Sequence, residues 1–339
     1  MNIETCKEDQ DAIHLMLPMI FGALQGKALS LMAELNIADH LMKVSMSVDE
    51  LATTTETDVV AMERYTCLLE QMGLISKSES GKFTCTKLGA LLQSGQSPSL
   101  HNYALLTNSD VVLEMVQHMS STLKSGESAF AQIYGESFYQ ALQNKPQQAA
   151  IFDGAMQEIS EKDIPEILES YDFSHYQSVI DVGGGQGYLL AALLQKYPQL
   201  KGTLFELTDV SEQARTILNT YMNNGRAQIE TGSFLETIST VGDLYILKRV
   251  LSHFSDNDAH KLLSNIRACI EPGGRLLVID PDTASLYGAS FNLLMLVAVG
   301  GSGVRSEKEL NSLFASNGFK YQRKIRLATE LSIIEALAI

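Results

Sequence analysis

The chain is 339 residues long, 45% hydrophobic, and carries a formal net charge of −15 at pH 7. That length accommodates two domains with separate cores, and so acidic a surface argues against non-specific attraction to nucleic acid or to an anionic membrane. Cys6, Cys67, Cys85 and Cys269 are scattered without a CxxC pair, which argues against a disulfide framework or a metal site and points to a reducing, cytoplasmic setting.

Glu4, Glu8, Asp9 and Asp11 precede any apolar run, unlike a signal peptide, and the richest apolar stretch, Phe291 to Gly300, is too short to cross a bilayer. From Leu15 to Leu41 charge is confined to Lys27, Glu34, Asp39 and His40. A helical segment apolar on more than one side is expected to be buried, against the chain's own core or a second subunit. Ser47-Val-Asp-Glu50 has the pattern of a capping box. Thr57 or Asp58 then opens a helix with Met62, Tyr65, Leu69 and Met72 on one face, and Gly73 ends it. Leu74-Ile75 and Lys82-Phe83-Thr84 flank Ser80-Gly81 as a β-hairpin. Helix, helix, hairpin is the order of a winged helix. The helix that would enter DNA, with its cap region, carries Glu56, Asp58, Glu63 and Glu70 against Arg64, a charge that phosphates repel. Residues 1–96 therefore read as a dimerisation module rather than a DNA reader.

Residues 97–170 read as a helical linker punctuated by Gly126, Gly135, Pro146 and Pro165. Phe130, Tyr134, Phe138, Tyr139, Phe152 and Met156 are concentrated there. Each suits helix packing, and as a group they suit the wall of a flat aromatic ligand. Across 171–339 strands alternate with helices: Ser178–Val182, Thr203–Glu206, Ala227–Gly232, Leu244–Lys248 and Arg275–Asp280. Lys320–Leu327 and Ser332–Ala338 follow as a terminal hairpin. The expected fold is α/β, a doubly wound Rossmann-like sheet ending in an antiparallel hairpin, with a mainly helical N-terminal domain.

The first of these strands runs into Asp181-Val-Gly-Gly-Gly-Gln-Gly187. A dinucleotide turn has G-x-G-x-x-G, but its last glycine falls on Tyr188 or Leu190, and no Gly-Lys-Ser/Thr follows to make a phosphate loop. What stands is D-x-G-x-G-x-G over Asp181, Gly183, Gly185 and Gly187, with Glu206 about twenty residues on, at the end of the second strand. A carboxylate there can accept both hydroxyls of a ribose.

Together with Phe205-Glu206-Leu207, Lys248-Arg-Val-Leu251 and Pro272-Gly-Gly-Arg-Leu-Leu-Val-Ile-Asp280, this turn resembles the class I S-adenosylmethionine-dependent methyltransferases. More narrowly, the chain resembles the small-molecule O-methyltransferases of the plant caffeate and bacterial polyketide-tailoring type, over nearly its whole length. Gly26-Lys-Ala-Leu29 with Ala33 to Asp39 resembles that family's dimerisation helices. Ser125 to Phe130 and Phe152 to Met156 resemble its substrate-pocket linker, and Gly300-Gly301, Arg305-Ser306 and Gly318-Phe319 its C-terminal motifs.

The resemblance implies S-adenosyl-L-methionine as cofactor, held by Asp181, Gly183, Gly185, Gly187, Glu206, Leu207, Ser233, Phe234 and Lys248. Gly183 would meet its methionine portion, Glu206 the ribose, Ser233 and Phe234 the adenine. Glu206 and Ser233 each stand where the family usually has Asp, and the serine gives up charge assistance worth on the order of 1 kcal/mol. The implied substrate is a small aromatic hydroxyl compound bordered by Phe130, Phe152, Met156, Ser252 and Asn292, and the implied assembly is a homodimer or a heterodimer with a related methyltransferase.

The family's catalytic His falls on Ser252, its neighbouring Asp on His253 and the following Trp on Phe254. Asp280 occupies one supporting-carboxylate position, while the second is Val304 and a further family Asp is Asn292. Three readings follow. His253 replaces the base with Asp280 orienting it, or the substrate is acidic enough to need no base, or the chain binds the cofactor without methylating.

Overall fold

A computed structural model describes residues 3–143, 145–300 and 303–339, with side chains described except at 3–9, 139, 142, 143 and 208–212. Gly301 and the side chains of Cys6 and Tyr139 thus lie outside the described residues. The chain forms two compact units, Met1–Leu113 with Gln147–Ile159, and Glu114–Pro146 with Ser160–Ile339.

The first unit holds α1 (Ile3–Ile20), α2 (Gly22–Glu34), α3 (Ile37–Lys43), α4 (Val48–Thr54), α5 (Val59–Gln71), β1 (Ile75–Lys77), β2 (Phe83–Cys85) and α6 (His101–Thr107). Ser47 and Glu50 close the expected capping box on α4, and Asp58 rather than Thr57 caps α5, its carboxylate accepting the Ala61 N–H at 2.9 Å. β1 and β2 pair antiparallel, and Met32, Ile37, Leu51, Leu69 and Ile75 form the core. Of Leu15 to Leu41, the chain's own core takes up the part from Ala28 onward, and burial of the part before it rests on the second-subunit alternative. Leu15, Met19, Ile20, Phe21 and Leu24 are exposed within the chain, because the apolar surface of α1 and early α2 exceeds what this core covers.

The chain crosses between units within α7 (Asp110–Gln117) and α11 (Pro146–Ser170); α8 (Met119–Ser125), α9 (Ala129–Tyr134) and α10 (Phe138–Gln143) come between these two in sequence and belong to the second unit. The second unit continues with β3 (Ser178–Val182), α12 (Tyr188–Lys196), β4 (Lys201–Glu206), α13 (Thr208–Asn223), β5 (Ala227–Thr231) and β6 (Gly242–Lys248). It is completed by α14 (Asp256–Cys269), β7 (Ile270–Pro281), α15 (Leu286–Val299), α16 (Glu307–Ser316), β8 (Phe319–Arg326) and β9 (Leu331–Ala338).

The sheet order is β5-β4-β3-β6-β7-β9-β8, parallel up to β7 and antiparallel across the terminal hairpin, as expected. Alternation along the strands feeds two cores. Ile180, Tyr245, Leu276 and Ile334 pack on one face with α14 and α16, while Val179, Leu244, Leu277 and Ile333 pack on the other with α12 and the end of α11. Strand order reverses between β3 and β6, which opens a crevice at their C-terminal ends. Among the described residues no single helix is long and apolar enough to cross a membrane.

Candidate active site

The turn from β3 to α12 is shaped by backbone that side chains would block. Gly183, Gly185 and Gly187 have φ of +69°, +59° and +79°, the left-handed region that glycine adopts without penalty. A Cβ on Gly183 would stand 2.8 Å from a Val250 methyl and 3.6 Å from the Phe234 ring, whereas one on Gly185 would meet open space. Beneath the turn, Asp181 is buried with neither carboxylate oxygen hydrogen-bonded among the described residues. Burial pushes its pKa up to about 7; the Lys248 charge opposes that rise and Glu206 adds to it.

Glu206, at the end of β4, accepts the Gly185 N–H at 2.9 Å on one oxygen and the Leu207 N–H at 2.8 Å on the other. Each oxygen keeps a lone pair for a further donor. Burial raises the Glu206 pKa while these two N–H groups hold it back. Leu207 is exposed at the start of α13. Phe234 meets the Phe254 ring edge-on at 5.4 Å, and its carbonyl is held by the Asn265 amide at 2.8 Å. The Ser233 carbonyl accepts the N–H of Glu236 at 2.9 Å.

At the end of β6, Lys248 donates to the Ser160 hydroxyl at 2.9 Å, and burial with the neighbouring Arg249 lowers its pKa to about 8. Arg249 takes φ +56°, a conformation that costs an ordinary side chain roughly 1–2 kcal/mol. It donates to Asp163 at 3.1 Å and to the Tyr287 hydroxyl at 3.2 Å, with the Phe291 ring 5.6 Å away. Its Nε is buried without a hydrogen-bond partner among the described residues.

The 3-10 turn Leu251–His253 follows. Ser252 is buried and donates its hydroxyl proton to Asp280 at 2.9 Å. Burial lifts Asp280 to about 6, against the Ser252 hydrogen bond and the charges of Arg249 and Arg305. The His253 ring lies tilted 6.4 Å from Phe291, and burial together with the Arg249 charge drives its pKa down to about 4. His253 is thus neutral at physiological pH, though weakly basic.

The expected substrate residues belong to both units. Phe130 is fully buried in a ring cluster with Tyr134 at 4.6 Å and Phe138 at 5.5 Å, the packing role open to it from sequence. Asn292, on α15, accepts the Val304 N–H at 2.7 Å and so fixes the segment leading to α16. Phe152 and Met156 belong to the part of α11 in the first unit. Asp163, Arg249, Tyr287 and Phe291 went unsingled in the sequence, where Asp163 and Arg249 stand 86 positions apart.

These residues suit S-adenosylmethionine. Among the described residues, the glycine turn keeps open the space that a side chain would fill, the Glu206 carboxylate keeps acceptor sites beyond its two N–H partners, and no donor reaches the buried Asp181.

Residues 116–320 match the O-methyltransferase domain family. The O-demethylpuromycin-O-methyltransferase of Streptomyces alboniger is 32% identical over 95% of this chain and 88% of its own. Aclacinomycin 10-hydroxylase of Streptomyces purpurascens is 30% identical over 98% of this chain and 92% of its own. An O-methyltransferase from neocarzinostatin biosynthesis, solved with S-adenosylmethionine and 2-hydroxy-5-methyl naphthoic acid, superposes with a TM-score of 0.79 at 27% identity, covering 93% of this chain and 96% of the other.

Proposed function

The chain belongs to the O-methyltransferase family and is an S-adenosylmethionine-dependent methyltransferase, and from that premise we propose that it methylates a hydroxyl of a small aromatic, polyketide-like metabolite. The observation that carries this reading is the cradle itself: three left-handed glycines over a buried carboxylate at the end of β3, closed by Glu206 at the end of the neighbouring β4. The substrate class is supported by relatives that act on, or are solved with, such aromatics.

Bound in the cradle, the cofactor supplies a methyl group on a positively charged sulfur, a leaving group that needs no acid. Glu206 would hold the ribose, Gly183 would admit the methionine portion, and Ser233 with Phe234 would border the adenine. What is left to the protein is to align the hydroxyl, exclude water and take one proton. His253, neutral beside Arg249, can orient the substrate by accepting a hydrogen bond. Arg249, paired with Asp163, adds the positive charge that helps to keep His253 neutral. The chain acts in the cytoplasm as a homodimer or with a related methyltransferase, a reading supported by the exposed apolar face of α1.

Mass spectrometry after incubation with S-adenosylmethionine and 2-hydroxy-5-methyl naphthoic acid, phenazine and anthracycline phenols tests this. At least one product heavier by a single methyl group is expected, with equimolar S-adenosylhomocysteine. Calorimetric binding of the cofactor without release of S-adenosylhomocysteine from any phenol would overturn it. That outcome would set the chain beside relatives whose names give another activity, such as the aclacinomycin 10-hydroxylase. His253→Gln should slow turnover less than about tenfold, since a loss of about 10²-fold or more is what removing the general base costs.

A further inference from the structure

We propose that the proton released by the substrate hydroxyl leaves through Ser252 to Asp280 and from there into a cavity beside the terminal hairpin. The proposal rests on the methyl-transfer reading and replaces the missing family base with a serine–carboxylate relay.

The cavity has a volume of about 320 Å³ and is lined by Ser252, Asp280, Thr283, Arg305, Ser306 and Ser332, among others. Its walls are the 3-10 turn, the end of β7, the start of α16 and the β8–β9 hairpin. The glycine turn, Glu206 and Lys248 do not line it. Val250, two residues before Ser252, packs against Gly183 in the cofactor cradle. One short turn therefore reaches the cradle at Val250 and the cavity at Ser252.

The hydrogen-bond direction is set. A serine hydroxyl has one proton, and here Asp280 receives it at 2.9 Å. What Ser252 has left to offer is acceptor capacity, which is what a phenol O–H requires. The proton balance closes in one concerted step. The substrate O–H breaks as its proton joins Ser252 Oγ, and the original Ser252 proton moves to Asp280 Oδ1. Meanwhile the substrate oxygen forms its bond to the methyl carbon as the carbon–sulfur bond breaks, the electron pair staying on sulfur. Asp280, now a neutral acid, releases its proton to water in the cavity.

The surrounding charges permit this. Arg305 is committed to the carbonyls of Leu251 and Phe254 and to Asp256, Lys324 and Arg326 to Asp282, and Glu307 accepts the Tyr321 hydroxyl. Arg249, Arg305 and Lys248 nevertheless act on Asp280 through their charge, and the two arginines oppose the upward shift caused by burial. The outcome, about 6, makes Asp280 a stronger proton acceptor than His253 at about 4.

The full-length protein with S-adenosylmethionine and 2-hydroxy-5-methyl naphthoic acid provides the kinetic test. Wild-type kcat should fall as pH drops through about 6, because the relay needs ionised Asp280. Asp280→Asn should lower kcat about 10²-fold and flatten that limb. Ser252→Ala should lower kcat by about tenfold or more, and Ser252→Thr, which restores the hydroxyl, should recover most of it. An acid limb unchanged in Asp280→Asn, or a Ser252→Ala rate equal to wild type, overturns the relay. So does loss of the limb in His253→Gln with its retention in Asp280→Asn.

Infrared titration with S-adenosylhomocysteine bound needs no turnover. A carboxyl band that protonates near pH 6 should vanish in Asp280→Asn and move to higher pH in Ser252→Ala, which loses the hydrogen bond that stabilises the anion. A band indifferent to Ser252→Ala overturns the coupling. Failure of wild type to methylate the naphthoic acid counts against that substrate class, and the infrared result then decides the relay by itself.

Discussion

Asp181 sets folding against ligand binding in one side chain. The carboxylate is packed so tightly under Gly184 that a Cβ there would fall 2.4 Å from its Cγ, and no donor reaches it among the described residues. Burial raises its pKa from 3.8 to about 7, so the fold favours the neutral acid. The sign follows from linkage: the contribution is fully present below about pH 4 and is lost as pH rises through about 7. Asp181→Asn removes that slope. Without cofactor, its melting temperature should match wild type near pH 4 and exceed it by several degrees at pH 8, measured by scanning calorimetry. Added S-adenosylhomocysteine should raise the wild-type melting temperature more than the variant's, because a donor on the ligand relieves only the carboxylate. Identical melting temperatures at pH 8 would sink this account.

The turn joining β3 to α12 separates two costs that a glycine can carry. Both Gly183 and Gly185 sit at positive φ, so alanine at either costs roughly 1 kcal/mol or more of backbone strain. Only at Gly183 does the added methyl also strike protein, at Val250; at Gly185 it enters open space. Urea unfolding without ligand should therefore show Gly183→Ala as the less stable variant. Calorimetry should show both losing at least about tenfold in affinity for S-adenosylhomocysteine. Equal stabilities would mean that Val250 gives way freely. Much at this scale was legible in the sequence. The strands, the glycine turn and the hairpin each follow from a local pattern of apolar runs and chain-reversing residues. The partnerships were not, because Ser252 and Asp280 are 28 positions apart and the ring-flanked Arg249 carries no glycine to betray its left-handed backbone. The family base aligns with Ser252 and the sequence offers His253 beside it as a replacement, yet the residue that hydrogen-bonds Asp280 is the serine at the aligned position itself.

At the scale of the whole molecule, the apolar pattern of α1 and α2 calls for burial, and the described chain covers only part of it. Leu15, Met19, Ile20 and Phe21 remain 69%, 70%, 67% and 56% exposed, a run too apolar to face water without cost. A net charge of −15 leaves nucleic acid and anionic lipid poorly matched to cover it. A second copy, or a related chain bearing the same helices, matches it by burying apolar surface against apolar surface. Sedimentation at micromolar concentration should find a dimer. Phe21→Glu with Leu17→Glu should shift the population to monomer while far-ultraviolet dichroism stays that of wild type, since Met32, Ile37 and Leu51 carry the core independently of those two side chains. Wild-type protein that sediments as a monomer alone but pairs when a related methyltransferase is added would assign the face to a heterodimer. A monomer under both conditions would refute an interface on α1.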